Sequence, residues 1–550
     1  MSFETFLLSW SAWYGLLAHS IDAIMFSCVQ PWNPLFGYTM LVAGEEPTWR
    51  KSIMLAKDDK GEEETALEPR VEEEQTGVAH PKSGDLLDLM ARFLESPGNV
   101  LLIQGAPGTG KTTLALELLN EMKGTRIGPH TISANKVYVS SRVSSSKLHR
   151  HFPGVHEVLD SMSGKETAGS ETRVGGDSRI AGAANIVGRI LTLKRAKQKG
   201  IIVVDSWEGA IANATEEQRN AMETAIFQDL EESKLSAVIV SESESSPKLD
   251  YLVDGIVTLS LSHLEDRTVR SVVVNKLRGF RLHTQRALFS LDGGKFTLLP
   301  RVEFHFDIDR SVNPKLLSPV RNSESSYSTG SPDLDALLDG GVRKGSSLLL
   351  DVNSTVSPHS VKLLLDIMAA NFINQGGTAF IIPYSIFSSQ NIAESLKTYV
   401  GDAVLNERVR IAEFNQVLRD EKWRVKLTGR LQEDLAAFNN AWNELGTISS
   451  ARALKYDFDK TVQLYGETLG LPGIAEIGAG IRDSRALSVG VISRPTNLRE
   501  ELLRAVDYHL KMQTVNGSLL IYGIKPITNV HGVKFGFEQG YPRLSLTEIV

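Results

Sequence analysis

One glycine-rich segment, GAPGTGKTT at residues 105–113, constrains this chain more than any other feature. It fits G-x-x-x-x-G-K-[ST], in which backbone N–H groups surround phosphates, the lysine reaches the terminal phosphates and the hydroxyl holds Mg²⁺. The apolar run NVLLIQ at residues 99–104 predicts a buried parallel strand before it. Leucines after the segment predict a helix, which Gly124 can end. Strand, loop and helix in this order aim a helix N-terminus at an anion, and they therefore predict a phosphate site.

Length and composition limit the class of protein. A chain of 550 residues predicts two or three domains, and 42% hydrophobic with 23% charged residues is typical of a globular protein. The net charge of −7 argues against a protein coated by nucleic acid, although a local basic patch stays open. The single cysteine, Cys28, excludes an intramolecular disulfide and a cysteine-based zinc site, and it fits a reducing cytoplasm.

The N-terminal residues have an unusual composition. Residues 1–53 form an apolar extension with no basic residue before Arg50, so a signal peptide is not favoured. Three interpretations stay open: an artefact or poorly ordered extension with Met54 as the true start, an apolar arm that binds a partner, and a membrane anchor, which His19 and Asp22 disfavour. Residues 54–82 are rich in acidic and other polar residues and predict a linker.

Two segments alternate apolar strands with helical patterns. Residues 83–300 and residues 328–550 both predict an α/β domain in which helices cover a mostly parallel sheet. Residues 301–327 predict a linker, and an insertion is expected near residues 421–470, where two polar helical stretches interrupt the alternation. In the second segment the strands are predicted at residues 347–350, 378–382, 408–411, 487–492 and 518–522, and the helices at residues 361–374 and 498–512.

A carboxylate ends the apolar strand IIVVD at residues 201–205. In P-loop NTPases, an aspartate in this place holds Mg²⁺ directly or through water, which is the interpretation we favour for Asp205. The alternative is a helix N-cap, because Asp205 and Ser206 both suit that position.

Five motifs carry a resemblance to a known family. The chain resembles the RecA-like ATPases of the KaiC-like group, which includes the archaeal gas-vesicle regulator D (GvpD-like) proteins. The segment VYVSSRVS at residues 137–144 favours the GvpD-like branch. The five motifs are GAPGTGKTT at 105–113, IIVVDSWEG at 201–209, YLVDGIVTL at 251–259, KLRGFR at 276–281 and STGSPDLDALLDGGVRKG at 328–345.

This resemblance implies two RecA-like P-loop NTPase domains, with ATP and Mg²⁺ as the ligands. Lys111 would bridge the terminal phosphates, and Thr112 and Asp205 would hold Mg²⁺. In related ring-forming ATPases, the KxR turn reaches a neighbouring subunit's nucleotide, so Lys276 and Arg278 are candidate fingers in trans within a homo-oligomer; the alternative is a plain β-turn. The residues expected to contact the nucleotide are Gly105, Ala106, Pro107, Gly108, Thr109, Gly110, Lys111, Thr112 and Thr113.

The chain departs from the family in two places. Relatives that hydrolyse ATP commonly carry a glutamate pair after the second strand, where residues 140–142 read Ser-Ser-Arg. Glu208 is the candidate replacement as water-orienting base, with Glu242 as a second candidate, so we expect slow hydrolysis that suits a switch. In the second domain, residues 351–360 read DVNSTVSPHS, with no glycine and no lysine, and Asp351 would repel phosphate. We therefore expect a degenerate nucleotide site there.

The leading functional hypothesis is an ATP-binding regulatory protein of the cytoplasm with weak or conditional ATPase activity and a regulatory protein partner. One alternative is a DNA-repair accessory that binds single-stranded DNA, although the acidic composition disfavours it. A further alternative is an autophosphorylating kinase, and a membrane role is not favoured. The basic residues that motivate the DNA hypothesis are Arg142, Lys147, Arg150, Lys194, Arg195, Lys197 and Lys199.

Overall fold

The computed structural model describes most of residues 86–550, and all structural statements below refer to the described residues. The extension 1–53, the linker 54–82 and most of the basic residues that motivate DNA binding lie outside them. Within 86–550 the residues left out are 123–124, 128–129, 133–134, 141–144, 153–187, 189–190, 192–199, 229, 231–234, 246, 303–318, 385, 415–420 and 467–478. In the described part of the chain, no helix combines the length and the apolar character that crossing a membrane requires.

The first half of the described chain forms an eight-stranded sheet in the order β10-β9-β8-β7-β1-β6-β5-β4. Strands β4, β5, β6, β1 and β7 are parallel, and β7 to β10 are antiparallel neighbours. The strands are β1 (Val100–Gln104), β2 (Thr125–Ile127) and β3 (His130–Ile132), which pair with each other, β4 (Asn135–Ser140), β5 (Gly200–Asp205), β6 (Leu235–Ser241), β7 (Gly255–Leu264), β8 (Arg267–Leu277), β9 (Arg286–Ser290) and β10 (Thr297–Leu298). The helices are α1 (Leu86–Glu95), α2 (Lys111–Glu121), α3 (Ser145–His151), α4 (Trp207–Ile211), α5 (Glu216–Phe227) and α6 (Pro247–Leu252).

The second half forms a ten-stranded sheet in the order β16-β15-β14-β17-β18-β13-β19-β20-β21-β22. Its strands are parallel from β16 to β19 and antiparallel from β19 to β22. The strands are β11 (Ser326–Tyr327), β12 (Val342–Arg343), β13 (Ser347–Val352), β14 (Thr378–Ile381), β15 (Val409–Glu413), β16 (Arg424–Lys426), β17 (Arg452–Asp457), β18 (Leu487–Ile492), β19 (Tyr508–Val515), β20 (Ser518–Lys525), β21 (His531–Glu538) and β22 (Tyr541–Glu548). The helices are α7 (Pro332–Leu337), α8 (Pro358–Asn374), α9 (Ser389–Val400), α10 (Asp402–Arg408), α11 (Leu431–Ile448), α12 (Phe458–Tyr465) and α13 (Arg499–Ala505).

Helices cover both faces of the first sheet, as the sequence predicts. The residues of β1 are all buried, and alternate residues of the strand contribute to separate apolar clusters on its two faces. One cluster contains leucines of α1 and α2, and the other contains Trp207 of α4 and Ile226 of α5. Both halves are therefore mostly parallel α/β sheets, and the predicted fold class is confirmed.

The two sheets repeat one arrangement of strands around β1 and β13. Because the registers match, Asp351 lies where Gln104 lies, and Asp457 lies where Asp205 lies. Six residues then separate Gln104 from α2, and six separate Asp351 from α8, so that Pro358 takes the position of Lys111. The register pairs that fix this correspondence are Gln104↔Ser241, Asp205↔Val240, Asp351↔Ile492 and Asp457↔Val491.

One helical pattern in the second half of the chain extends too far. The helix predicted over residues 498–512 is wrong after residue 505, because the Asp507 side chain accepts hydrogen bonds from Ser347 and the chain turns into β19 beside β13. The region 421–470, predicted as an insertion, contains α11 but also β17, which lies between β14 and β18.

A buried lysine in β17 makes a pH-dependent contribution to stability. Burial lowers the pKa of Lys455 to about 7, and its Nζ donates a hydrogen bond to the main-chain oxygen of Leu365 at 2.5 Å. In an unfolded chain the pKa is about 10.4. The folded state therefore disfavours the ammonium form, and the free energy of unfolding falls as the pH decreases from about 10 towards 7.

We expect Lys455→Met to raise the free energy of unfolding at pH 6 by about 2 kcal/mol or more, because it removes the cost of a buried charge. The gain should shrink as the pH rises towards about 10, where an unfolded lysine also loses its proton. Urea unfolding from pH 6 to pH 10 measures it, with the exposed Lys426→Met as the control. A gain that does not change with pH would contradict the stated cause.

Candidate functional site

The glycine-rich loop joins β1 to α2 at the carboxyl edge of the parallel strands. Three of its glycines have positive φ angles: +151° at Gly105, +81° at Gly108 and +101° at Gly110. A Cβ atom on Gly105 would lie 2.3 Å from the main-chain oxygen of Leu259, and one on Gly110 would lie 2.9 Å from Cδ1 of Leu291. The first and third of these glycines are thus fixed by close packing, whereas a Cβ atom on Gly108 would meet nothing within 4 Å.

These contacts predict unequal effects of two alanine substitutions. Gly105→Ala should lower the free energy of unfolding by about 4 kcal/mol, since it combines a clash with a backbone oxygen and an unfavourable φ. Gly108→Ala is the matched control and should cost only about 1 kcal/mol, from its φ alone. Urea denaturation of both variants measures the difference, and equal losses would show that the packing against Leu259 does not matter.

The Lys111 side chain is buried within the loop. Its Nζ donates hydrogen bonds to the main-chain oxygens of Gly105 at 2.6 Å and Ala106 at 2.8 Å. Lys111 is the first residue of α2, so its ammonium adds to the partial positive charge of the helix N-terminus. Loop, lysine and helix end together form a compact region suited to an anion.

A hydroxyl and a carboxylate meet beside this loop. Thr112 Oγ1 donates a hydrogen bond to Asp205 Oδ2 at 2.7 Å, and the hydroxyl of Tyr138 donates to the same oxygen at 2.5 Å. Burial, followed by the charge of Asp205, raises the pKa of Tyr138 well above its ordinary value, so the phenol stays protonated. The N-cap of α4 is Ser206, whose Oγ accepts from Gly209 N at 3.4 Å. Asp205 thus points into the site, with the oxygen donors that Mg²⁺ prefers nearby.

Sequence reasoning missed Tyr138, although it lies in the segment at residues 137–144 that carries part of the family resemblance. Its register beside β5, with Tyr138 paired to Val203, places the hydroxyl within reach of Asp205. A tyrosine next to the strand that carries the aspartate was the available signal.

Glu208 has a different environment from the one predicted for a water-orienting base. Its Oε1 accepts a hydrogen bond from Ser241 Oγ at 2.5 Å, and its Oε2 accepts from the main-chain N of Glu242 at 3.0 Å. The carboxylate therefore links α4 to the end of β6 through two hydrogen bonds. Its role as a base stays a prediction.

Lys276 and Arg278 lie at the opposite edge of the sheet from the glycine-rich loop. They lie at and just beyond the end of β8, beside the start of β7, and β7 starts next to the start of β1. Lys276 Nζ donates to the main-chain oxygen of Val253 at 2.6 Å, and Arg278 pairs with Asp254 at 3.0 Å. Their use at the site of another copy stays a prediction; the structure does not bring them to the loop of their own chain.

The second sheet lacks the corresponding phosphate chemistry. Pro358 replaces the lysine, and His359 follows in the place of Thr112. Asp351 is buried, and burial would raise its pKa, but His509 and Arg499 lower it below the ordinary value. His509 Nε2 lies 3.2 Å from Asp351 Oδ2, and Arg499 forms an ion pair with Oδ1. This carboxylate is therefore compensated by its own chain.

Sequence reasoning also missed Asp457. It ends β17 as Asp205 ends β5, but it accepts a hydrogen bond from Lys460 N at 3.2 Å and caps α12. The segment ALKYD could have indicated this strand, but its internal lysine made it look like part of a polar segment. The second sheet thus keeps a carboxylate at this position but lacks the glycine-rich loop with a lysine that would bind phosphate beside it.

Comparison with known proteins agrees with this geometry. A family model described as "ATPase: KaiC" matches residues 96–301, which contain the loop, Asp205 and the KLRGFR turn. The chain is 26% identical over 505 residues to Protein GvpD2 of Halobacterium salinarum, covering 86% of this chain and 97% of that protein. It is 23% identical over 540 residues to Protein GvpD1 of the same organism, covering 86% of this chain and 99% of that protein. Residues 96–301 are thus similar to the KaiC-like ATPases, and most of the chain is similar to the two GvpD proteins, in agreement with the RecA-like resemblance of the sequence.

Proposed function

We propose that this protein is a nucleotide-dependent regulatory switch of the cytoplasm, which binds ATP in the first α/β sheet and hydrolyses it slowly or only under certain conditions. The observation that carries the proposal is one well-formed phosphate loop beside a second copy without lysine or glycine. A protein that needed two turnovers for work would keep both sites; a regulator needs only one site whose occupancy changes its shape.

The residues around the first loop fit ATP with Mg²⁺. Backbone N–H groups of the loop and the ammonium of Lys111 would hold the phosphates, and Thr112 and Asp205 would hold the cation. Bound ATP and Mg²⁺ would supply the transferable phosphoryl group and the charge that stabilises its transfer. Lys111 would exchange the carbonyls of Gly105 and Ala106 for phosphate oxygens, and the Thr112 hydroxyl would turn from Asp205 towards the cation.

Slow turnover follows from the position of Glu208. A general base must lie within hydrogen-bond reach of the water it activates. Both carboxylate oxygens of Glu208 instead accept hydrogen bonds from the end of β6. Activation would require this carboxylate to leave Ser241 and Glu242, and a protein partner or another copy could favour that change.

The second half is proposed to bind the partner, with an affinity that depends on the nucleotide bound in the first half. Its described residues form a ten-stranded sheet, but Asp351 and Asp457 serve their own chain as an ion-pair partner and a helix cap. A regulatory protein partner or a homo-oligomer would bind this half, and Lys276 and Arg278 could then reach the nucleotide of a neighbouring copy.

The test begins with two measurements on the full chain. Calorimetry in Mg²⁺ and in EDTA measures ATP binding, and phosphate release at 37 °C measures turnover. We expect Mg²⁺-dependent binding and turnover well below one per second. Hydrogen exchange with ATP, with ADP and without nucleotide then reports the conformational response. No binding, or identical exchange in all three states, would contradict a nucleotide switch.

The same preparation separates the two alternatives. A salt-dependent complex with single-stranded DNA at low ionic strength would favour the DNA-repair hypothesis. A mass increase of one phosphate after incubation with ATP would favour the autophosphorylating kinase.

A further inference from the structure

An arginine of the first sheet connects the phosphate loop to the last strand of the second sheet. Arg270 lies on β8, where Nη1 donates a hydrogen bond to the main-chain oxygen of Gly108 at 2.9 Å. Its Nε donates to the main-chain oxygen of Val550, just after β22. One guanidinium thus binds two main-chain oxygens that are far apart in sequence and belong to different halves of the chain.

Further contacts join the same two halves of the described chain. Arg267 is buried, and it donates to the main-chain oxygens of Thr528 and Gly523, both at 2.6 Å, with its guanidinium 4.8 Å from the ring centre of Tyr522. Glu265 forms an ion pair with Lys511 across the same interface. The apolar residues packed between the halves are Val269, Leu288 and Leu299 from the first and Leu520, Tyr522, Val530 and Ile549 from the second.

A second set of contacts, through Ser290 and Leu291, also connects β22 to the phosphate loop. Ser290 Oγ donates a hydrogen bond to the main-chain oxygen of Glu548 in β22. The next residue, Leu291, packs against Gly110, where an added Cβ would lie 2.9 Å from its Cδ1. The end of β22 therefore reaches the loop through both Gly108 and Gly110.

The contact at Gly108 orients a peptide of the loop. The Gly108–Thr109 bond is trans, so its C=O and N–H point to opposite sides. With the carbonyl facing Arg270, the Thr109 N–H faces the main-chain oxygen of Ala106 at 3.4 Å, on the side where Lys111 Nζ also lies. Arg270 thus supports the orientation in which the Thr109 N–H faces into the loop, towards the main-chain oxygen of Ala106.

We propose that Arg270 is a positioning residue that couples nucleotide binding in the first half to docking of β22 from the second half. The inference rests on the proposed function and adds a route for the signal. Docking of β22 fixes the guanidinium, the guanidinium fixes the loop, and the loop then binds phosphate more tightly. Because coupling is reciprocal, bound nucleotide must stabilise the docked β22 by the same factor.

The test compares Arg270→Gln and Arg270→Lys with the parent full chain. Calorimetry with ATP and Mg²⁺ gives the affinity, and hydrogen exchange of residues 541–548 with and without ATP gives the response of β22. We expect ATP to slow this exchange in the parent and Arg270→Gln to bind ATP about ten-fold more weakly. The slowing should be lost in Arg270→Gln at saturating ATP, and Arg270→Lys should retain part of both effects.

Two matched controls keep the result specific. Arg286→Gln removes an exposed arginine from the neighbouring strand β9, and Lys511→Gln removes an ion pair that crosses the interface without touching the loop. Both should bind ATP as the parent does. Unchanged affinity of Arg270→Gln, or a persistent response of β22 in that variant, overturns the coupling while the ATP switch stands. Failure of the parent chain to bind ATP overturns both proposals.

Discussion

Lys111→Ala is expected to weaken ATP binding about 100-fold, because it removes charge-assisted hydrogen bonds that contribute about 3 kcal/mol to phosphate binding. The ammonium already lies inside the loop, on the carbonyls of Gly105 and Ala106, so little rearrangement is needed for it to reach a phosphate. The second sheet offers no lysine at the equivalent position, which is Pro358. Calorimetry with ATP and Mg²⁺ measures the affinity.

The control for this variant is Lys248→Ala, which removes an exposed lysine from α6 in the same half of the chain. Its affinity for ATP should equal that of the parent. Lys111→Ala must also keep the unfolding midpoint of the parent to within a few degrees for the comparison to hold. Binding that survived in a folded Lys111→Ala variant would show that the phosphate site lies elsewhere.

The site is predictable from sequence where its chemistry is local. The loop from Gly105 to Thr113 has its strand, its turn glycines and its helix within about twenty residues, so one motif predicts the geometry. The meeting of Thr112 with Asp205 is predictable as well, because the carboxyl ends of parallel strands share one edge of the sheet.

The remaining features depend on contacts that no local pattern carries. Lys455 interrupts the apolar run of β17, and its burial is possible only because the surrounding sheet and α8 hold it. That interruption hid Asp457. The helical spacing after Leu498 predicts a longer helix than the chain forms, because β19 pairs with β13 instead. Arg270 contacts residues 162 and 280 positions away in sequence, which the fold alone brings together.

The pair Asp205 and Asp457 provides the sharpest test of one competent site beside a degenerate copy. Asp205→Asn should lower Mg²⁺-dependent ATP turnover about 100-fold, because a neutral amide cannot balance the charge of the cation as a carboxylate does. Asp457→Asn should leave turnover at the level of the parent, since asparagine also caps helices and the second sheet has proline in place of the lysine.

The two variants should therefore separate function from stability. Asp457→Ala, which loses the cap of α12, should lower the free energy of unfolding by about 1 kcal/mol, with ATP turnover unchanged. Asp205→Asn should change turnover while ATP binding in EDTA stays near that of the parent, because the lost partner is the cation. Phosphate release measures turnover, calorimetry measures ATP binding in EDTA, and urea denaturation measures the free energy of unfolding. Equal loss of turnover in both aspartate variants would mean that the second sheet takes part in the chemistry, and the assignment of a single competent site would then be wrong.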